Sequence, residues 1–169
     1  MRRGSGMSGE NRRDEGQGLA VRLFGRALHI YFVLTRSMTL GVRAACFDGD
    51  GRIFLVRHSY IAGWHMPGGG VERHETVEQA LAKELREEGN LAISGRPQLF
   101  HVYFNNHTSK RDHVVFYRVD VTQTAPRKPD REIVESGFFA LDALPPGTTK
   151  ATYRRLRELE GAEAPSSYW

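Results

Sequence analysis

The stretch from residue 68 to residue 91 constrains this chain most, because it joins a glycine-rich turn to a helix that ends in acidic residues. It reads GGGVERHETVEQALAKELREEGNL. A helix advances about 100° per residue, so Glu84, Glu87 and Glu88 fall on one face within about a third of a turn. Carboxylates this close repel one another unless a divalent ion or a basic partner neutralises them. Oxygen ligands favour hard ions, so we expect Mg²⁺, or Mn²⁺ in its place, rather than zinc.

The length and composition of the chain indicate one globular domain with additional terminal segments. Its 169 residues are enough for a single core. Its net charge of +4 comes from scattered basic residues, which fits an anionic or phosphorylated ligand and does not call for a specific nucleic acid partner. The only cysteine is Cys46, so an internal disulfide is excluded and a reducing, cytoplasmic location is expected.

Two segments precede the predicted domain. Residues 1–18 are polar and glycine-rich, which predicts a disordered tail. Residues 19–38 repeat apolar residues at helical spacing, with Arg22, Arg26 and Arg36 in or beside the apolar stripe, which predicts an amphipathic helix. Three interpretations stay open for this helix: peripheral contact with a membrane, packing on the domain, or packing on a second subunit of a homodimer.

Residues 39–161 carry the pattern of a mixed α/β fold, and residues 162–169 are assigned to a C-terminal tail. Alternating residues around the turn at 48–51 predict a β-hairpin, and Thr76-x-x-Gln79 predicts a capping box at the start of the central helix. Further strands are predicted at 98–104 and 113–121, followed by a short segment at 136–140 and a last helix at 149–160. Strands grouped around one helix and followed by another predict a mixed β-sheet with helices on both faces.

The acidic helix and its glycine turn resemble the signature of the Nudix hydrolases in spacing. The residues at the signature positions are Gly69, Glu75, Lys83, Glu84, Leu85, Glu87, Glu88, Asn90 and Leu91. Lys83 stands where the family has arginine, and Asn90 where it has glycine. Lysine keeps the charge but lacks the planar, bidentate fork, whereas asparagine tolerates the left-handed conformation that ends such a helix. The segments Trp64–Gly69 and Glu135–Phe139 are also similar to the family, so the resemblance extends from about residue 41 to residue 146.

The resemblance implies a Nudix-like α/β/α sandwich and a divalent-metal-dependent hydrolase. Its substrate would be a nucleoside diphosphate derivative, such as a nucleoside triphosphate or a nucleotide sugar, cleaved at the diphosphate linkage. The metal would lie on Glu84, Glu87, Glu88 and the Gly68 carbonyl, with Glu84 or Glu87 as the catalytic base. Gly69, Glu75 and Lys83 would support this set of signature residues between 69 and 91, which is called the box below. The alternative is a nucleotide-binding regulatory module of the same fold with weak or no catalysis, which the change to Lys83 motivates.

Several residues outside the box are candidates for substrate or metal binding. Arg43 and Arg57 are candidates for phosphate, and Trp64 and Phe104 for stacking on a base, with surface and core roles as the alternatives. Glu132 and Glu135 are candidates for an extra ligand or base. The histidines show no zinc-like spacing with cysteine, so surface or loop roles are expected for His58, His65, His101, His107 and His113.

Markers of particular substrates are missing after the box. Some family members carry a proline about fifteen residues after it, for ADP-ribose, or a tyrosine about seventeen residues after it, for dinucleoside polyphosphates. Those positions hold Asn106 and Thr108 in this chain. The sequence therefore leaves nucleoside triphosphates, nucleotide sugars and other diphosphates open.

Overall fold

The computed structural model describes residues 22, 24–32, 34–35 and 37–169. The chain divides into two units, residues 1–37 and residues 38–169. In the first unit the described residues between 22 and 35 are helical and exposed. The predicted tail at 1–18 and part of the predicted helix at 19–38 lie outside the described residues, so the amphipathic helix stays a prediction. Among the residues that the structure describes, no helix is long and apolar enough to cross a membrane.

The second unit contains six strands and two helices. In chain order they are β1 (Thr39–Phe47), β2 (Ile53–His58), α1 (Val77–Gly89), β3 (Leu91–Ile93), β4 (Gln98–Phe104), β5 (Asp112–Gln123), β6 (Ile133–Phe139) and α2 (Lys150–Leu159).

The strands form one mixed sheet, as predicted. Its order is β3-β5-β1-β2-β6, and β4 also pairs with β5. β1 runs parallel to β5 over its whole length, from Thr39 opposite Asp112 to Phe47 opposite Asp120, whereas β1 and β2 are antiparallel. The parallel pair joins residues more than seventy positions apart, which local sequence patterns do not reveal.

The predicted hairpin is present, but its two strands pair only next to the turn, at Cys46 opposite Phe54 and Phe47 opposite Ile53. Beyond that point the loop before α1 lies between them. The Val42 and Ala44 amides of β1 donate to the Gly69 and Pro67 carbonyls, at 2.9 and 3.1 Å, and β2 is bonded to the same loop through Val56 and His65. The glycine-rich turn is therefore part of the sheet, which fixes its position relative to α1.

Helices cover both faces of the sheet, which confirms the predicted layered architecture. The side chains of β1 alternate between the faces, so that Ala44 and Cys46 pack beneath α1 and Ala45 packs on the α2 side. Leu81 and Leu85 of α1 are fully buried, and each contributes about 1.5–3 kcal/mol through burial alone.

Both ends of α1 have the caps that the sequence predicts. The Thr76 hydroxyl accepts from the Gln79 amide, and the Gln79 side chain accepts from the Thr76 amide. At the other end Asn90 adopts the left-handed conformation with φ 52°, and its amide donates to the Arg86 carbonyl at 3.0 Å. Asparagine is one of the few residues that take this conformation readily, so the departure from glycine is accommodated.

The last residues of the chain, which the sequence assigns to a tail, lie against β4 and the α2-side core. The Phe104 amide donates to the Ser167 carbonyl at 2.9 Å, and the Trp169 amide donates to the Phe104 carbonyl at 3.1 Å. The Trp169 ring lies edge-on to Tyr103 and Phe116.

Candidate active site

Two glycines allow the loop before α1 to approach both the sheet and the acidic face of the helix. Gly68 has φ +141°, and a Cβ there would lie 2.1 Å from the Val42 carbonyl oxygen. A Cβ at Gly69 would lie 2.5 Å from the Cδ of Glu84. Both distances are far below van der Waals contact. At Gly68 the obstacle is backbone and φ is positive, so a side chain is excluded there, whereas at Gly69 a side chain would displace the Glu84 carboxylate, which lies directly against the turn.

Glu88 is the most buried of the three glutamates, with 5% of its surface exposed. Its Oε2 accepts a hydrogen bond from the Gly68 amide at 2.8 Å. Burial raises the pKa of Glu88 to about 7; the Gly68 amide and Arg43 oppose the rise, while Glu84 and Glu132 add to it. A carboxyl that costs this much to ionise is one that a bound cation would stabilise strongly.

Lys83 connects two acidic residues of the box. Its Nζ lies 3.6 Å from Glu75 Oε1 and 3.6 Å from Glu84 Oε1. Burial raises the pKa of Glu84, and the Lys83 charge partly offsets that rise. The lysine thus reaches both carboxylates that the family arginine would orient, although it makes one contact to each instead of a planar fork.

The carboxylates meet at a cavity of about 290 Å³. Its lining comprises Glu84, Glu87, Glu88, Arg127, Asp130, Glu132 and Ile133. Arg127 is already engaged, because its Nε donates to the Glu87 carbonyl at 2.7 Å and its guanidinium pairs with Asp130. The remaining oxygen atoms are those that hard divalent ions prefer, so Glu84, Glu87, Glu88 and Glu132 fit the metal that the resemblance implies.

The structure separates the two acidic candidates outside the box. Glu132 lies directly before β6 and lines the carboxylate cavity. Glu135 lies within β6 and pairs with Arg57 at 2.7 Å, on the exposed side of the strand. Glu132 therefore joins the candidate site, and Glu135 forms a surface ion pair.

The four predicted substrate-binding residues lie in different surroundings. Arg43, on β1, donates to the Met66 carbonyl at 2.7 Å and lines a second cavity of about 420 Å³. Arg57 is occupied by Glu135, Trp64 is buried edge-on to Phe139, and Phe104 contacts Tyr168 and His113. The structure thus brings Arg43 to a pocket and does not bring the other three to it.

This second cavity has a basic lining. Its basic and imidazole side chains are Arg43, His65, His107, Lys150 and Arg154. No acidic side chain appears among the described residues that line it. They come from β1, from the loops before α1 and after β4, and from α2. Because these segments are distant in sequence, no local motif identifies the pocket.

One site residue was placed wrongly by the sequence. His58 was expected in a surface or loop role, but it is the last residue of β2 and only 3% of its side chain is exposed. Its Nε2 lies 3.5 Å from Glu88 Oε1. The burial of His58 could have been predicted from the alternation of β2. His58 follows Phe54 and Val56 at steps of two residues, and those two side chains lie on the face of the sheet that packs beneath α1.

The chain is thus an α/β/α domain in which a glycine turn and an acidic helix form one carboxylate site. The family model of the NUDIX domain matches residues 38–159. The chain therefore belongs to the Nudix hydrolase family, and the resemblance stated from the sequence is confirmed.

A named relative supports this assignment. The chain is 32% identical over 111 residues to an ADP-ribose pyrophosphatase of Methanocaldococcus jannaschii, a match that covers 60% of this chain and 64% of the relative. The chain thus spans less than two thirds of that relative's length.

Solved structures show the same fold. A MutT NUDIX hydrolase from Burkholderia pseudomallei superposes with a TM-score of 0.61 at 29% identity, covering 73% of this chain and 98% of that one. An ADP-ribose pyrophosphatase from Streptococcus suis superposes with a TM-score of 0.58 at 30% identity, covering 79% and 96%.

Proposed function

We propose that this protein is a divalent-metal-dependent pyrophosphohydrolase that cleaves the diphosphate linkage of a nucleoside diphosphate derivative. The observation that carries the proposal is the convergence of Glu84, Glu87 and Glu88 with Glu132 on one cavity beside the Gly68–Gly69 turn. An acidic site of this kind repels a diphosphate unless a cation lies between them. Mg²⁺ is the expected ion, with Mn²⁺ as a substitute.

The protein's own residues would hold the ion and position the water. The Gly68 amide fixes the Glu88 carboxylate, and Lys83 contacts the Glu84 carboxylate. When bound, the ion neutralises charge on the phosphate oxygens and acidifies a water ligand. Glu84 or Glu87 serves as the general base, because both line the cavity with Glu88.

The basic cavity next to Arg43 would receive the anionic part of the substrate. Arg43 lines this cavity, and its charge also opposes the rise in the pKa of Glu88, so it links the two sites electrostatically. A volume of about 420 Å³ is within the range of pockets that bind small ligands. The names of two relatives make ADP-ribose the first substrate to test. Because Asn106 stands where ADP-ribose enzymes of the family carry proline, other diphosphates must be tested as well.

A substrate panel tests the proposal. The full chain would be incubated with Mg²⁺ or Mn²⁺ and with ADP-ribose, nucleotide sugars, nucleoside triphosphates and dinucleoside polyphosphates. Nucleoside monophosphate and phosphate products would be separated by ion-exchange chromatography. We expect turnover of at least one compound that EDTA abolishes and added Mg²⁺ restores. Absence of turnover across the panel, or turnover insensitive to EDTA, would contradict the proposal.

The alternative of a regulatory module makes the opposite prediction. It is motivated by Lys83, whose separate 3.6 Å contacts hold Glu75 and Glu84 less firmly than a guanidinium fork. Such a module would bind nucleotides in calorimetry without hydrolysing them, and clear turnover in the panel would exclude it.

The first unit of the chain is proposed to supply peripheral membrane contact. Its described residues include the exposed apolar side chains Phe24, Leu28, Ile30, Tyr31 and Leu34, together with Arg22 and Arg26. Apolar and basic side chains on one exposed segment suit an anionic membrane surface. Co-sedimentation with anionic vesicles would compare the full chain with one that begins at Thr39. Equal binding by the two chains would exclude membrane contact through the first unit. A homodimer that is lost on truncation would support a subunit contact instead.

A further inference from the structure

A buried imidazole lies beside the carboxylate site, next to Glu88 and Glu132. His58 ends β2, and its pairing with β6 shifts register between Arg57 and His58. The shift brings Glu132 beside it, where the Ser59 amide donates to the Glu132 carbonyl at 2.9 Å. His58, Glu88 and Glu132 therefore surround one point from β2, from α1 and from the residue before β6.

The distances among these three residues suit a shared ion better than direct contact. His58 Nε2 and Glu88 Oε1 are 3.5 Å apart, beyond the usual hydrogen-bond range of about 2.7–3.2 Å. One ligand atom from each of His58, Glu88 and Glu132 lies within 4.8 Å of the other two. Bonds of about 2.1 Å place neighbouring ligands of an octahedral ion about 3 Å apart and opposite ligands about 4.2 Å apart. The 3.5 Å separation of His58 Nε2 and Glu88 Oε1 exceeds the neighbouring-ligand distance by about 0.5 Å, so side-chain movements of this order would bring that pair onto one ion.

The imidazole is enclosed by its neighbours. Only 3% of the His58 side chain is exposed, and its Nδ1 is buried without a hydrogen-bond partner among the described residues. The ring packs 5.0 Å from Tyr60 and 6.0 Å from His65, between centroids. Nε2 is therefore the ring nitrogen that faces the carboxylates.

We propose that His58 is a direct metal ligand, which together with Glu88 and Glu132 gives this protein a nitrogen-containing site for a first-row divalent ion. The proposal rests on the proposed function only in placing an ion at this cavity. Imidazole raises affinity for Mn²⁺, Fe²⁺, Co²⁺ and Zn²⁺ relative to Mg²⁺, for which oxygen ligands suffice. The all-oxygen site expected from the sequence is thereby extended by one nitrogen.

Pulsed electron paramagnetic resonance of the Mn²⁺-loaded full chain tests this directly, without substrate. A coordinated imidazole produces ¹⁴N modulation of the Mn²⁺ echo. We expect that modulation in the wild type, its loss in His58→Phe, and its retention in His65→Gln, which removes the neighbouring imidazole. We also expect Mn²⁺ affinity to fall at least tenfold in His58→Phe, with Mg²⁺ affinity changing less than about threefold.

Several outcomes would overturn the proposal. They are failure of the wild type to bind Mn²⁺, a bound Mn²⁺ without ¹⁴N modulation, or modulation that persists in His58→Phe. His58→Gln, with an oxygen donor of similar size, replaces His58→Phe if that variant does not fold, and absence of ¹⁴N modulation in the wild type alone already excludes imidazole coordination. A ¹⁴N signal without turnover of any diphosphate would reject the proposed hydrolase function and keep the metal site.

Discussion

Replacing Gly69 with alanine should disable the site without unfolding the protein. The added Cβ would lie 2.5 Å from Glu84 Cδ and 2.6 and 2.7 Å from its two carboxylate oxygens. Ordinary contact begins at 3.4 Å, so the carboxylate must retreat by about 0.9 Å. A misplacement of about 1 Å in a catalytic constellation costs about a hundredfold in rate, or about 2.7 kcal/mol of transition-state stabilisation.

Stability should change little in this variant. The clash is with the end of a flexible, partly exposed side chain, and Gly69 does not have a positive φ that alanine would strain. We expect the free energy of unfolding to stay within about 1 kcal/mol of the wild type. The assay is kcat/KM at saturating Mg²⁺ with the best substrate of the panel, together with thermal unfolding.

Gly70→Ala is the matched control, because a Cβ at Gly70 meets nothing within 4 Å. It should keep wild-type turnover. On a Glu84→Asp background, where the carboxylate is one methylene shorter, Gly69→Ala should cost much less than a hundredfold, because the two positions are coupled. Turnover of Gly69→Ala as fast as that of Gly70→Ala, or a loss of activity that follows from unfolding, would contradict a displaced Glu84 carboxylate.

Lys83, Asn90 and Glu88 each give a further prediction. Lys83→Met should lower kcat/KM at least tenfold because two carboxylates lose their shared cation, and Lys83→Arg should match or exceed the wild type; an active Lys83→Met would contradict this. Asn90→Ala should lower the free energy of unfolding by about 1–2 kcal/mol in urea titrations, because alanine resists the left-handed conformation, while Asn90→Gly should be better tolerated. Burial raises the pKa of Glu88 to about 7, so the metal-free folded state holds this proton more tightly than the unfolded state, and the Glu88 contribution to the free energy of unfolding falls as pH rises from 4.5 to 7. Burial lowers the pKa of His58 to about 4, so the folded state holds that proton less tightly, and the His58 contribution rises between pH 4 and 6.5. Glu88→Gln removes the falling Glu88 contribution. The free energy of unfolding of this variant without metal should therefore rise by up to about 3 kcal/mol between pH 4 and 6.5, whereas a flat or falling profile would contradict the lowered pKa of His58.

The parts of the site that are local in sequence were predictable. Spacing along one helix places Glu84, Glu87 and Glu88 together, and the capping pattern at Thr76 locates the start of α1, because both depend on residues within a few turns of each other. The left-handed Asn90 follows from the same local logic.

The parts that depend on distant segments were not predictable. The parallel pairing of β1 with β5 and the insertion of the glycine turn between β1 and β2 join segments with no shared local pattern. Glu132 reaches the cavity only because β6 pairs beside β2, and Arg127 only because it returns to the Glu87 carbonyl. The position of His58 was predictable in part. Strand alternation shows which face of the sheet its side chain lies on, but only the packing of α1 shows that Glu88 is its neighbour.

The hydrolysis rate of Glu88→Gln tests directly whether the carboxylate cavity holds the ion needed for diphosphate cleavage. Glutamine keeps the size of the side chain and an oxygen to accept the Gly68 amide, but removes the buried charge. Glu78→Gln is the control, because it removes an exposed carboxylate from the first turn of the same helix. We expect kcat/KM with Mg²⁺ to fall by about 10²–10³ in Glu88→Gln and to stay within about twofold of the wild type in Glu78→Gln. Wild-type turnover by Glu88→Gln would contradict this expectation.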